Sequence, residues 1–414
     1  MYIDSIKIQK FRTFRNTQIN FIHQDCDFES LEMPRPRISN INLVLGINGL
    51  GKTTLLKAIA LAALGPSVSD SGIFPYCLIR REPDTYTKSP QPDQACIKAT
   101  FTPHTQDQTP SQFKHIESEV TVLRRGDLES LRWTHPEEKG WHPIFSATSD
   151  AFFFVGYGAS RRVEKAERVD LGSRNGSAFI RAQRVQSLFE ESHSLIPLNS
   201  WLPKLEVESP DRFKQVVTLI DRLIGANHYK FQGELEEGEY IFSRKGLRVP
   251  FPALSDGYRA FLGWIGDLLY HVCMTCPSGK RLVDNQGIVM VDEIDLHLHP
   301  EWQMKILGQL AKQLPKIQFI VTSHSPLLVG SLEWMNIMLM DPIKGQASRI
   351  QRLKQPVRGL DADQVLLTGY FGLKSTRTAD QTRNLKALTL RARDGDPEAA
   401  LALLQQMSQG REAL

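Results

Sequence analysis

Gly46-Ile47-Asn48-Gly49-Leu50-Gly51-Lys52-Thr53 is the stretch from which the rest of this chain is read. It fits the pattern G-x-x-x-x-G-K-[ST]. The apolar run Ile41-Asn42-Leu43-Val44-Leu45 precedes it and has the character of a buried strand. Thr54-Leu55-Leu56-Lys57-Ala58-Ile59-Ala60-Leu61 follows and has the character of a helix. A glycine loop between strand and helix lets the backbone wrap tightly, so that successive N–H groups converge on a phosphate. The helix N-terminus adds partial positive charge. Gly46, Asn48, Gly49, Gly51, Lys52, Thr53 and Thr54 are therefore the candidate ligands of a nucleotide, read as ATP. Lys52 would reach the β- and γ-phosphates, and Thr53 would offer its hydroxyl to Mg2+.

A second apolar run, Gly287-Ile288-Val289-Met290-Val291, ends in Asp292-Glu293. A strand buried on both faces reads this way, and the C-terminal ends of such strands are where open α/β sheets bind ligands. Asp292 is expected in the Mg2+ shell, with Thr53. Glu293 is expected to orient or deprotonate the attacking water as general base.

The chain has 414 residues, of which 41% are hydrophobic and 23% charged. That suffices for one large core or two ordinary ones. A net charge of +4 permits a nucleic-acid partner without requiring one. No apolar run approaches the ~18 residues that span a bilayer. The opening MYIDSIKIQKFRTF lacks the features of a signal peptide. A cytoplasmic protein with no membrane partner is expected. Five cysteines, an odd number, argue against a disulfide framework. Cys273 and Cys276 form one CxxC, a spacing that also places two side chains a helical turn apart on a buried face.

Alternation predicts strands at Tyr2–Ile8 and Thr17–Phe21, and again at 95–101, 116–123 and 151–155. Residues 161–225 read as helical. Ser209 is expected to cap a helix opened by Pro210, with Phe213, Val216, Val217, Ile220, Leu223 and Ile224 as its apolar stripe and Gly225 as its stop. Strands at 288–291 and 317–321 alternate with helices at 258–272 and 302–314. This implies a largely parallel sheet in an α/β fold. Four segments follow: an N-terminal half-head over 1–160, a mainly helical insertion over 161–250, a C-terminal half-head over 251–345, and a basic helical tail over 346–414. No long coiled coil is expected.

The string Leu254-Ser255-Asp256-Gly257-Tyr258-Arg259-Ala260 resembles the LSxGxxR signature of ABC-type ATPases. The resemblance implies an ABC-type head, a mixed sheet with flanking helices, that hydrolyses ATP. It also implies that Ser255 and Gly257 bind the γ-phosphate held by an opposite subunit, so that ATP joins a homodimer or larger assembly. Thr322-Ser323-His324-Ser325-Pro326 resembles the switch-histidine strand, which would place His324 at the γ-phosphate. The opening IKIQKFRTFRNTQINF is similar to SMC, Rad50 and RecF heads, in which an arginine at the place of Arg12 lies near the nucleotide. Asp292-Glu293-Ile294-Asp295-Leu296-His297-Leu298-His299-Pro300 is similar to a form found in OLD-type and other compact bacterial ABC ATPases. Phe153–Arg161 resembles their YGxxR segment, and Asp363–Leu367 with Phe371-Gly372-Leu373 resembles their tail. Members include ATPase subunits of anti-phage systems such as Septu (PtuA) and PARIS (AriA).

Two positions depart from that pattern. No glutamine follows the 151–155 strand where a Q-loop would have one, and Tyr157 and Arg161 are the candidates to stand in its place. His299 occupies the usual D-loop aspartate position, with Asp295 earlier. Two basic runs could meet DNA: Arg161, Arg162, Lys165, Arg168, Arg174, Arg181 and Arg184, then Arg349, Arg352, Lys354 and Arg358. No separate nuclease cluster is read. The leading expectation is an ATPase that senses a trigger and controls a separate effector, a nuclease or toxin, in anti-phage defence. A RecF- or Rad50-type repair ATPase acting on DNA is the alternative, and a transporter subunit a more distant one.

Overall fold

The computed structural model describes residues 1–69, 71–82, 91–104, 113–134, 141, 153–163, 180–225, 229–343 and 347–408. The chain divides into two compact units, Met1–Gly359 and Leu360–Leu414.

The strands of the first unit are β1 (Tyr2–Phe11), β2 (Phe14–Asn20), β3 (Ile41–Gly46), β4 (Gln94–Thr102), β5 (Ile116–Arg125), β6 (Leu128–Trp133) and β7 (Phe154–Tyr157). They continue as β8 (Lys230–Glu236), β9 (Glu239–Arg244), β10 (Leu247–Pro250), β11 (Gly287–Val291), β12 (Ile317–Ser323), β13 (Ile337–Ile343) and β14 (Ala347–Gln351). Its helices are α1 (Lys52–Leu64), α2 (Ile180–Gln186), α3 (Leu198–Glu208), α4 (Pro210–Ile224), α5 (Asp256–Thr275), α6 (Pro300–Gln313) and α7 (Pro326–Gly330).

The central sheet runs β14-β13-β3-β12-β11-β7. Five of its strands are mutually parallel, and only β14 is antiparallel, against β13. Every residue of β3, β11 and β12 is buried, as strands covered on both faces require. The C-terminal ends of β3, β11 and β12 release the chain at Gly46, Val291 and Ser323. Parallel order thus brings the glycine loop, the carboxylate pair and His324 to one edge.

A second, antiparallel sheet runs β2-β1-β4-β5-β6. Helix α1 packs between the sheets, against β4 and β5 on one side and β3, β12 and β7 on the other. Its sequence is apolar almost all round because both faces are covered. Leu55, Ile59, Ile8, Ile97 and Val120 join one core with Ile288 and Ile320.

The predicted strands and helices of the head are present. Residues 230–250, expected within a helical insertion, instead form the antiparallel sheet β10-β9-β8. Its two turns, Glu237-Gly238 and Lys245-Gly246, hold both residues at positive φ, the two-residue geometry that suits strand twist. The stripe of α4 is buried except for half-buried Val217. Ser209 stands at the N-cap, but its side chain makes no capping bond; its carbonyl accepts from Phe213 N–H. Residues 151–152 of the expected 151–155 strand lie outside the described residues.

The second unit carries α8 (Ala362–Leu366), α9 (Ala379–Arg393) and α10 (Pro397–Ser408). Capping boxes open α8, through Asp361 and Gln364, and α9, through Thr378 and Gln381. No helix among the described residues is long and apolar enough to cross a membrane.

Candidate nucleotide site

The loop after β3 turns on Gly49 and Gly51, at φ 82° and 100°, where only glycine is unstrained. A Cβ on Gly51 would overlap Thr13 Oγ1. Ser348 Oγ donates to Leu50 carbonyl at 2.6 Å, and Ser348 N–H to Thr13 carbonyl at 3.0 Å. Edge strand β14 and the β1–β2 turn therefore brace the loop from outside.

Lys52, 7% exposed, curls back over this loop. Its Nζ donates to Gly46 carbonyl at 2.8 Å and lies 2.6 Å from His324 Nε2. Burial holds the Lys52 pKa below its usual value, against the pull of Asp292, Glu293 and Asp295. Burial and the neighbouring ammonium hold that of His324 down as well. The neutral imidazole accepts at Nε2, which places its proton on Nδ1.

Thr53 Oγ1 donates to Asp292 Oδ2 at 2.6 Å, and Thr322 Oγ1 donates to Asp292 Oδ1 at 2.5 Å. Glu293 N–H donates to the same Thr322 hydroxyl at 2.8 Å. Glu293 sits at φ 47°. Arg161 Nη1 donates to Asp292 carbonyl at 2.6 Å, and Nη2 to Glu293 carbonyl at 3.0 Å. The Thr53 hydroxyl and Asp292 carboxylate form the hard-oxygen pair that suits Mg2+, which keeps most of its shell as water and phosphate oxygen. The residues present thus fit both a triphosphate and its cation.

A cleft of about 610 Å³ opens beside this group, lined among others by Thr53, Lys57, Arg161, Asp292, Glu293 and His297. Ser255 and Gly257 line a different cleft, of about 630 Å³, with Arg244, Tyr258, His297, His299 and Trp302. Ser255 is the N-cap of α5, and its side chain makes no capping bond. Gly257 lies so close to the 293–299 loop that a Cβ would stand 2.5 Å from His297 carbonyl oxygen.

A family model described as "AAA domain, putative AbiEii toxin, Type IV TA system" matches residues 123–330, half of the chain. The chain belongs to this AAA domain family. A second AAA domain model matches residues 5–142. Among curated relatives, the Septu protein PtuA of Bacillus mycoides is 24% identical over 91% of this chain and 45% of its own length. The retron Ec83 probable ATPase of Escherichia coli is 37% identical over 25% of this chain and 19% of its own. The chain thus spans less than half the length of these relatives. Among solved structures, an SMC head bound to the C-winged helix domain of ScpA aligns with TM-score 0.50 and 14% identity, over 85% of this chain and 98% of that one. The expected SMC-like head fold is the fold of this AAA domain chain, and among the described residues no helix is longer than Asp256–Thr275.

Not every candidate residue gathers at the AAA site in the same way. Arg12 joins Thr13 beside the loop, but its guanidinium donates to the carbonyls of Tyr76 and Cys77. Tyr157 is buried and donates to Asp267 Oδ2 at 2.7 Å, a core role that removes it as a Q-loop substitute. Arg161, the other candidate, bonds the backbone carbonyls of the acidic pair Asp292-Glu293. His299 accepts from Glu301 N–H as N-cap of α6, a helix-starting task that leaves no D-loop aspartate at that position. Of the basic runs, Arg184 is buried, and Arg352 spends its guanidinium on the carbonyls of Met335 and Asn20. Neither is a surface cation, while Lys165, Arg168 and Arg174 lie outside the described residues. Cys273 and Cys276 are buried, with Arg212 bonded to both their carbonyls, and burial pushes the Cys273 thiol up to about 12.

Sequence reasoning missed Thr322, Ser348 and Thr13. Thr322 stood in the quoted switch strand beside His324. Ser348 and Thr13 carry no local signal, because only the sheet order brings them to the loop.

Proposed function

We propose that this chain binds Mg2+-ATP at the loop 46–54 and hydrolyses it. The observation that carries the reading is the continuous linkage Thr53–Asp292–Thr322–Glu293, with Lys52, the residue before Thr53, bonded to His324. Loop amides and Lys52 would hold the β- and γ-phosphates, and Thr53 and Asp292 would hold Mg2+, which screens phosphate charge when bound. Glu293 would take a proton from the attacking water, and His324, with its protonated ring nitrogen turned to the nucleotide, would donate to the γ-phosphate oxygens as charge builds there. Ser255 and Gly257, in a cleft apart from the loop of their own chain, suit a γ-phosphate carried by a second copy. ATP would then bridge a homodimer or a larger assembly.

Likeness to Septu PtuA and a retron ATPase supports a role in anti-phage defence, in the cytoplasm, with a separate effector of nuclease or toxin class switched by the ATP-bridged state. Direct action on DNA, as in RecF- or Rad50-type repair, is the second reading; burial of Arg184, and the bonds of half-buried Arg352 to the carbonyls of Met335 and Asn20, take two cations from the surface it would need.

The test is hydrolysis of radiolabelled ATP by the wild type and Glu293→Gln. Turnover is expected to fall at least ~10²-fold with binding retained. Unchanged turnover in Glu293→Gln removes the base assignment.

A further inference from the structure

We infer that Arg161 is a positioning residue: it fixes the backbone that carries Glu293, and it acts on hydrolysis through Glu293 alone. The inference rests on the reading of Glu293 as general base.

The carbonyls of Asp292 and Glu293 are adjacent, and one guanidinium forks across both, at 2.6 and 3.0 Å. Between them Glu293 holds φ 47°, a left-handed state that is strained for a non-glycine residue. Such a residue keeps its conformation only where its surroundings over-determine it. Glu293 N–H donates to Thr322 Oγ1, and Leu296 N–H donates to the Glu293 carbonyl at 3.0 Å. Thr322 thus fixes the amide side of the residue, Arg161 and the Leu296 amide share the carbonyl, Arg161 alone ties that carbonyl to its neighbour at Asp292, and Glu293 lines the cleft.

Arg161 is itself held by its segment. A Cβ on Gly158 would overlap the Ser187 carbonyl, and Gly158 N–H donates to Ser187 Oγ. Leu195 N–H donates to Arg162 carbonyl at 2.7 Å. Val163 packs where a Cβ on Gly263 of α5 would stand. Segment 158–163 is therefore wedged between Ser187 just after α2, Leu195 and helix α5. Both Arg161 nitrogens serve carbonyls, so the side chain has no need of the nucleotide to be in place. Its guanidinium remains charged at neutral pH although burial lowers its pKa to about 10.

Lysine cannot reproduce this fork, because an ammonium is a point donor without planar geometry. The experiment compares wild type, Arg161→Ala, Arg161→Lys and Glu293→Gln, and the double variant Arg161→Ala/Glu293→Gln. Thermal melts and fluorescent-ATP binding are read beside kcat and KM. Arg161→Ala is expected to lose about 10- to 100-fold in kcat, with KM and nucleotide affinity within about threefold. Arg161→Lys is expected to fail to restore kcat, and added guanidinium ion at millimolar concentration to restore part of it in Arg161→Ala. The double variant is expected to be no slower than Glu293→Gln, as for two residues acting as one unit.

Full activity in Arg161→Lys, a rise in KM at constant kcat, or multiplicative losses in the double variant would each overturn the inference. If Arg161→Ala does not fold, the Arg161→Lys profile decides by itself. Loss of turnover in Glu293→Gln alongside unaffected Arg161 variants would sink this inference and spare the base assignment. Retained turnover in Glu293→Gln would sink the base assignment itself.

Discussion

Lys52 Nζ and His324 Nε2 lie 2.6 Å apart, joining the first residue of α1 to the residue after β12. Lys52→Ala is expected to weaken ATP binding at least ~100-fold, since charge-assisted bonds to phosphate are lost. His324→Ala is expected to lower turnover about 10²-fold with affinity changed less than about fivefold. Fluorescent-nucleotide titration and phosphate-release assays separate the two. Wild-type turnover in His324→Ala would remove it from the site.

Gly51→Ala meets two obstacles, a φ of 100° and the Thr13 hydroxyl. The variant is expected to lose about 2–3 kcal/mol of stability and most of its ATP affinity. Gly51→Ala/Thr13→Ala removes the overlap but not the φ strain, so about half the loss should return. Thermal melts of both proteins with and without ATP check the partition.

Ser348→Ala deletes the hydroxyl that holds Leu50 carbonyl. The expected cost is about 1 kcal/mol, read as roughly fivefold weaker ATP binding. Unchanged affinity would mean that β14 does not brace the loop.

The pH dependence of folding is expected to carry a mark of His104. Burial, then the N-terminal charge and His23, hold its pKa down to about 2, from 6.5 unfolded. Below pH 6.5 the unfolded chain binds a proton that the folded chain refuses. The stabilisation is therefore complete above that pH and is lost as the medium is acidified toward 2, by at most about 1.4 kcal/mol per pH unit. His104→Phe keeps an aromatic ring against Tyr2, whose ring lies 4.1 Å away. It is expected to flatten the acid limb of denaturant-derived stability; an unchanged limb would contradict the assignment.

The head was legible where one segment carries its own pattern. The apolar runs 41–45, 288–291 and 317–321 each end in a chemical group, so the strands and the candidate site could be read together, whereas their order in the sheet could not. What stayed hidden is set by distance in sequence. Ser348 braces Leu50 across 298 positions, and Arg161 reaches Glu293 across 132. The β8–β10 sheet was missed although Phe231, Gly233 and Leu235 alternate with polar residues along β8; β9 buries three successive residues and β10 spans only four, so neither repeats that signal. Ser209 shows the converse, a residue type that favours capping whose carbonyl opens α4 and whose N–H closes α3, while its hydroxyl makes no capping bond.

The central claim is that a triphosphate on one copy is completed by Ser255 and Gly257 of another. Mass photometry of Glu293→Gln, with and without saturating Mg2+-ATP, tests it most directly when Glu293→Gln/Ser255→Arg is run in parallel. The account predicts that ATP raises the assembly mass of the first protein only, while both bind nucleotide. An ATP-saturated Glu293→Gln of unaltered mass, or a Ser255→Arg chain unable to bind nucleotide, would contradict it.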